Sequence, residues 1–530
     1  MRADATATGD GGRVIVWADD STGFHGLIRA RGGATGGNGG FVETSGKVNL
    51  AVTGSVDTRA PAGRTGTWLL DPTNITVISG PGAFISLAEV DAFGDPNSGP
   101  NTLSVSLIDA ATSNVSLQAA NDITFATSVN MTNAGVGLTA RAGNDIIWGG
   151  NTISTNNGSV SFTANDPGGT VTGSGRIFGS GAISTGTGNV TMSVPAGVGE
   201  IHAGPISANA VNLTSTGPVL VDGNIAATGA VVLTGTGNAG SSIRGVKIDN
   251  VAVTSPLSIN ITGTGAPGQS NAYGVYMFGG ATVAGTGSAS VTVFGRGGDD
   301  SFGASSQNTG IAFKGSGGSF STINGALSLT GFGGKGSGGQ HPGFWLENAP
   351  VAGNINTVNG AITINGTGGS GGASQSGLSL DVGGAIRASG TGSIVIAGVG
   401  GTGPGAGGSN IGVRLRDNTA AINSVSGAID VVATRGQQRK QQAVTASGFR
   451  VGGLPGVLGA GFDVIYGLGA AFSAFAAVSG GTTSVSAPLF AAVDQSGQLP
   501  PIVLASIGVT RGLLSGALQD DDPRTASQCS

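Results

Sequence analysis

Five side chains at one repeating position are the sequence's first candidates for chemistry. Phe278, Lys314, Glu347, Asp381 and Arg416 each stand four residues beyond a glycine, namely Gly274, Gly310, Gly343, Gly377 and Gly412. Those glycines are 33 to 36 residues apart. If the chain repeats as stacked coils, the five side chains form an outward ladder. Lys314 then meets Glu347, and Asp381 meets Arg416. The plainer reading is a surface ion-pair ladder, which is worth little per pair. The sharper one is catalytic. Glu347 and Asp381 on adjacent strands would be about 5 Å apart, the separation used by retaining glycosidases, and Trp345 could stack on a sugar. Flanking cations lower both carboxylate pKa values, however, which is the wrong direction for a general acid. The sequence therefore points to no catalytic site, with Glu347 and Asp381 as the weak alternative.

The other candidates are thinner. GRGGDDSFG (295–303) has the composition of a calcium-binding glycine repeat, which makes Asp299 and Asp300 the alternative metal ligands. That motif works by recurring so that stacked turns share each ion, and here it occurs once. A solvated loop is the expectation. His25, His202 and His341 have no ligand spacing, and His341 reads as a surface or loop residue. The single cysteine, Cys529, excludes an internal disulfide and a cysteine-based metal site. With 103 glycines in 530 residues, isolated Gly-x-Gly matches carry no information, and no P-loop, nucleophile elbow or dinucleotide fingerprint stands out. No cofactor is expected. A net charge of −5 is too small to imply a polyanion partner, and only five lysines argue against nucleic acid.

The elements that must position these residues are strands. Over 257–434 one strand start recurs at Leu257, Val291, Leu327, Ile362, Ile394 and Ile429, with spacings of 34, 36, 35, 32 and 35 residues. A second strand follows each of the five glycines. Its first and third residues are apolar: Val275/Met277, Ile311/Phe313, Phe344/Leu346, Leu378/Leu380 and Val413/Leu415. Its second and fourth are mostly polar or amphipathic, which predicts one buried and one wet face. Apolar residues three and four apart, the mark of a helix, are absent. Strands recurring about every 35 residues, without helices between them, predict an all-β parallel β-helix.

The rest of the chain falls into further stretches. Residues 1–80 carry a 27-residue repeat aligned on Val14, Phe41 and Trp68. Residues 81–114 interrupt it, with helical turns expected in AFISLAEVDAFGDP and SLIDAATS. Residues 115–256 resume with strands starting at Val115, Val136, Val160, Val190, Val211 and Val231, 20 to 30 residues apart. Beyond 257 the extra length lies in Gly-rich segments such as GFGGKGSGGQHP, expected as loops on one side of the solenoid. Residues 435–530 read as a polar linker, a short apolar helix over Ala470 to Val478 that caps the last coil or meets a membrane or partner, and a loose acidic tail. No stretch reaches 18 apolar residues, and the start shows no signal-peptide apolar region.

One stretch carries a resemblance. GGRVIVWAD (Gly11 to Asp19), RGGATGGNGGFVETSG (Arg31 to Gly46) and LLDPTNITV (Leu69 to Val77) are similar to the filamentous-haemagglutinin-like exoproteins of two-partner secretion systems in Gram-negative bacteria. The match is specific over 10–80 and looser in the NDITF and NDIIW coils. Residues 257–530 match only in general style. The resemblance implies a right-handed parallel β-helix, secretion or display at the outer membrane, a dedicated outer-membrane transporter as partner, and adhesion to a host or surface polymer. It implies no catalytic residues. The secretion domain and signal peptide of that family are not in this sequence. Together with the uncapped first coil, this predicts the C-terminal part or a fragment of a longer exoprotein. A polysaccharide-active β-helix enzyme (hydrolase or lyase) and an inert product of a split gene are the rival expectations.

Overall fold

The computed structural model describes residues 1–82 and 101–434, apart from 169–172, 174, 240, 301–302, 304, 316–317, 348–354, 373–374, 382, 404–409 and 416–419. It also describes the backbone of three later strands, Val444–Ala446, Phe462–Val464 and Phe472–Ala476. The chain divides into two compact units, Met1–Gly235 and Thr236–Ser530. Each is a parallel β-helix, in which most coils give one strand to each of three sheets.

In the Met1–Gly235 unit, inward side chains stack by type from coil to coil. The first sheet aligns Val115, Leu138, Val160, Val190, Val211 and Val231, all buried. The second aligns Ile123, Ile146, Ile177, Ile201 and Val219, and the third Ile153, Ile183, Ile206 and Ile225. β-Branched residues suit this pleated, close-packed surface. Each such side chain, fully buried, contributes up to about 1.5–3 kcal/mol. Outward positions of the first sheet are filled by Ser116, Thr139, Ser161, Thr191 and Asn212.

The early repeat differs from the sequence alignment by one residue. Val14 pairs with Val42, and Val42 with Trp68, whereas Phe41 pairs with Arg13 and Thr67. A one-residue slip changes the face of every side chain. Phe41 accordingly points outward under the Arg13 guanidinium, 5.1 Å from ring centre to Cζ. Val115 faces Leu138 rather than Val136, a two-residue shift that keeps the same face. Of the expected helical turns, SLID forms one, in the helix Val105–Asp109. AFISLAEVDAFGDP lies outside the described residues.

In the Thr236–Ser530 unit, the first sheet runs through Ser258–Thr264, Ser290–Arg296, Leu327–Phe332, Ile362–Thr367, Ile394–Val399 and Ile429–Thr434. These starts lie within a residue of the sequence expectation. The second strands also fall where expected, directly after their glycines. A third strand per coil, such as Thr282–Gly285 or Ala385–Ala388, closes the triangle and is not foreseen by the sequence pattern. The Gly-rich insertions leave between the first and second strands. Each is pinched at a neck of two glycines. A Cβ on Gly331 would overlap the carbonyl oxygen of Gly343, and one on Gly366 that of Gly377.

The segment expected as an apolar helix over Ala470 to Val478 is corrected at its centre. Phe472–Ala476 is a strand, antiparallel to Ile429–Thr434. The last parallel strand would otherwise present a row of unpaired N–H and C=O groups, and an antiparallel partner satisfies them. The remainder of 435–530, beyond the three strands, lies outside the described residues. Among the described residues no helix is long and apolar enough to cross a membrane.

Candidate functional site

The outward ladder expected on the second sheet of the Thr236–Ser530 unit is largely covered. The second positions Tyr276, Ala312, Trp345 and Ser379 are buried, although the pattern predicts a wet face. The returning limbs of the Gly-rich loops lie over them. Tyr273 stacks on Tyr276 with ring centres 4.9 Å apart, and Gln307 accepts a hydrogen bond from Lys314 Nζ at 3.2 Å. Lys314 also lies 4.6 Å from the centre of the Trp345 ring and 3.0 Å from Glu347 Oε2. Burial works to lower the Lys314 pKa, but hydrogen bonds to Tyr273 and Glu347 outweigh it and raise the value. The ammonium is thus locked inside an aromatic and acidic clasp.

The expected carboxylate pair is not an open one. Glu347 is engaged by Lys314. Asp381 is on the outer face with Trp345 and Ser379 but buried, and accepts hydrogen bonds from Trp345 Nε1 at 3.0 Å and Ser379 Oγ at 3.1 Å. Arg416 lies outside the described residues. The chemistry of this strip is fastening: it holds the loops to the sheet.

A second device orders the loops from within. The residues two places before the neck glycines are Ala272, Asn308, His341, Gln375 and Asn410. The Ala272 N–H donates to Asn308 Oδ1 at 3.1 Å, and that of Asn308 to His341 Nδ1 at 3.2 Å. The N–H of His341 donates to Gln375 Oε1 at 2.8 Å, and that of Gln375 to Asn410 Oδ1 at 3.1 Å. Each of the four polar side chains serves the backbone of the preceding coil. His341, expected as a surface or loop residue, lies in the loop but is fully buried, because its ring occupies a rung of this ladder. Nδ1 accepts and Nε2 donates to Gly336 O at 3.0 Å, which requires the neutral ring. Burial lowers its pKa accordingly. The sequence signal was a polar residue two places before four of the five glycines, with Ala272 at the first.

Asp299 and Asp300 lie at the loop edge. Asp299 pairs with Arg296 at 3.1 Å. Asp300 accepts the Gly303 N–H at 2.8 Å, closing its own turn. Among the described residues no three His, Cys, Asp or Glu side chains gather as a metal site would require. His25 bonds Thr53, while His202 sits between Glu200 and Asp222.

The Met1–Gly235 unit holds a feature that the sequence reading missed. A groove of about 210 Å³ opens beside its first sheet, lined by Trp17, Lys47, Asp71, Gln118, Arg141 and Asp166 among others. Strand register places these groups. Gln118 and Arg141 are paired neighbours on adjacent strands, and Asp71 follows the strand Thr67–Leu70 that pairs next to Gln118. Arg141 Nε donates to Asp166, which also accepts the Gly168 N–H at 2.9 Å. Burial would raise the Asp166 pKa, but these partners hold it below the ordinary value. Asp71 goes the other way. Burial, with the charge of Glu43, pushes it up to about 6. Trp17 is 51% exposed, whereas Trp68, Trp148 and Trp345 are buried. The available signal was a tryptophan at an outward position of RVIVWA, in line with polar residues of later coils.

No known protein-family model matches the chain, and no curated protein is significantly similar to it.

Proposed function

We propose that this chain is the repeat-bearing body of a non-enzymatic, secreted or surface-exposed exoprotein of filamentous-haemagglutinin type. It acts as an adhesin, presenting loops to a host or surface polymer, and an outer-membrane two-partner transporter exports it. The observation that supports this reading best is the loop layer. Gly-rich insertions, one per coil, are held in register by a buried polar ladder and by bridges running Asp299, Lys335, Ser370 and Thr402. Such an array offers an extended, ordered surface rather than a cleft, and the weak catalytic candidates are spent on fastening it. Antibody raised against the chain tests this on intact and permeabilised cells of the producing bacterium. Labelling of intact cells, or protein in the medium, is expected. Labelling that needs permeabilisation overturns the surface reading.

A further inference from the structure

We propose that the groove of the Met1–Gly235 unit is a glycan subsite, which takes one pyranose ring of a surface polysaccharide. This names the polymer and a place of contact additional to the loop layer, and it rests on the adhesin reading for its setting. Size comes first. At about 30 Å³ per water, 210 Å³ has room for roughly seven waters, the space of one sugar ring with its hydroxyls rather than of a drug-sized ligand.

The lining gives the chemistry. A sugar has an apolar C–H face and a rim of hydroxyls. Trp17 supplies a flat aromatic face, and it alone of the four tryptophans is exposed. Gln118 brings an amide that both donates and accepts, beside the Arg141 guanidinium fixed by Asp166. Asp71 faces the groove together with Lys47, Arg141 and Asp166, and Glu43 lies near it. In its acid form it donates to a ring or hydroxyl oxygen. The charges disfavour other ligands. Arg141 is neutralised by Asp166, which leaves Lys47 against Glu43 and Asp71, a poor setting for phosphate. Beyond Arg141 the same outward row continues as Thr163, Ser193 and Thr214. Its rungs are about 4.8 Å apart, close to the advance of a glycan per linkage, so neighbouring sugars meet hydroxyls.

The test uses the full chain at pH 5.5 and the hexamers of the uncharged β-1,4-glucan and β-1,4-mannan. Acrylamide quenches exposed tryptophan, so the quenchable emission reports Trp17. At least one hexamer is expected to cut that quenching threefold or more. Gln118→Ala and Asp71→Ala should each weaken the midpoint at least fivefold. Gln118 lies on the outer face of the sheet, so its variant keeps the fold. No shielding by any hexamer, or shielding that survives unchanged in both variants, overturns the glycan subsite. Surface labelling without shielding removes this proposal alone. Shielding by a chain found only inside cells removes the adhesin reading and leaves the subsite standing.

Discussion

His202 shows how one side chain can couple the fold to pH. Its Nε2 lies 3.2 Å from Glu200 and its Nδ1 3.1 Å from Asp222, so both ring nitrogens have acidic partners. Its ring also lies 5.1 Å from that of Phe178 on the adjacent strand. Burial alone would lower its pKa, but the two carboxylates push it up to about 9. A histidine with a raised folded value stabilises fully below its unfolded value of about 6.5, and loses that contribution as pH rises through about 9. The full shift would correspond to about 3 kcal/mol, and solvent screening of a partly exposed group reduces it to roughly 1 kcal/mol. His202→Gln should therefore lower the thermal midpoint at pH 6, with the gap to the parent closing by pH 10. Parallel melting curves across that range measure it. A gap that does not change with pH shows that the imidazolium adds nothing. The sequence displayed this histidine with Glu200 two residues before it but without its second partner. Asp222 is 20 residues away and reaches it from the next coil.

At the scale of elements, the strands were legible and their coverings were not. Val/Ile/Leu alternation marks a strand because the inward face of each coil meets the same apolar core, so first and second strands of the Thr236–Ser530 unit fall where the spacing puts them. The third strands are short runs such as AIRA, bounded by Gly and Ser, with too little alternation to be read. The loops have no apolar period at all. Their order comes from one polar side chain per coil, and this also buries the second-strand positions that alternation assigns to water. The ladder can be tested at its middle rung. His341→Ala strips the acceptor from the buried Asn308 N–H, which costs about 1–3 kcal/mol before any cavity term. His341→Asn should lose less, because Asn308 and Asn410 do the same work with an amide oxygen. The pH dependence separates the two roles of the ring. A folded value held below 6.5 means that the unfolded chain takes up a proton first as pH falls, so parent stability drops below about pH 6.5. The Asn variant should lack that drop. Denaturant midpoints at pH 5 and pH 7.5 decide, and an equal acid loss in parent and Asn variant would rule out His341 as its source.

Across the molecule, the coil stack makes stability quasi-one-dimensional. Each coil meets only its neighbours, so a defect is felt locally and fades with distance along the stack. The glycine necks offer a defect of known place. Gly366 lies on Ile362–Thr367, and a Cβ there would overlap the carbonyl oxygen of Gly377. Gly366→Ala must either open the neck or shift the strand. The first-sheet strands in direct contact are Leu327–Phe332 and Ile394–Val399. Their amides should exchange at least tenfold faster, equivalent to about 1.4 kcal/mol of local opening. Ser258–Thr264 is separated from the defect by the strands Ser290–Arg296 and Leu327–Phe332, and should keep its protection. Hydrogen exchange followed by mass spectrometry resolves these segments. An equal loss in all of them would mean that the unit opens as one cooperative body, and the nearest-neighbour picture would then fail for this stack. A graded loss would mean that insertions can lengthen one coil, as the Gly-rich loops do, without destabilising coils farther along, which is how a long repeat array can vary its surface while keeping its core.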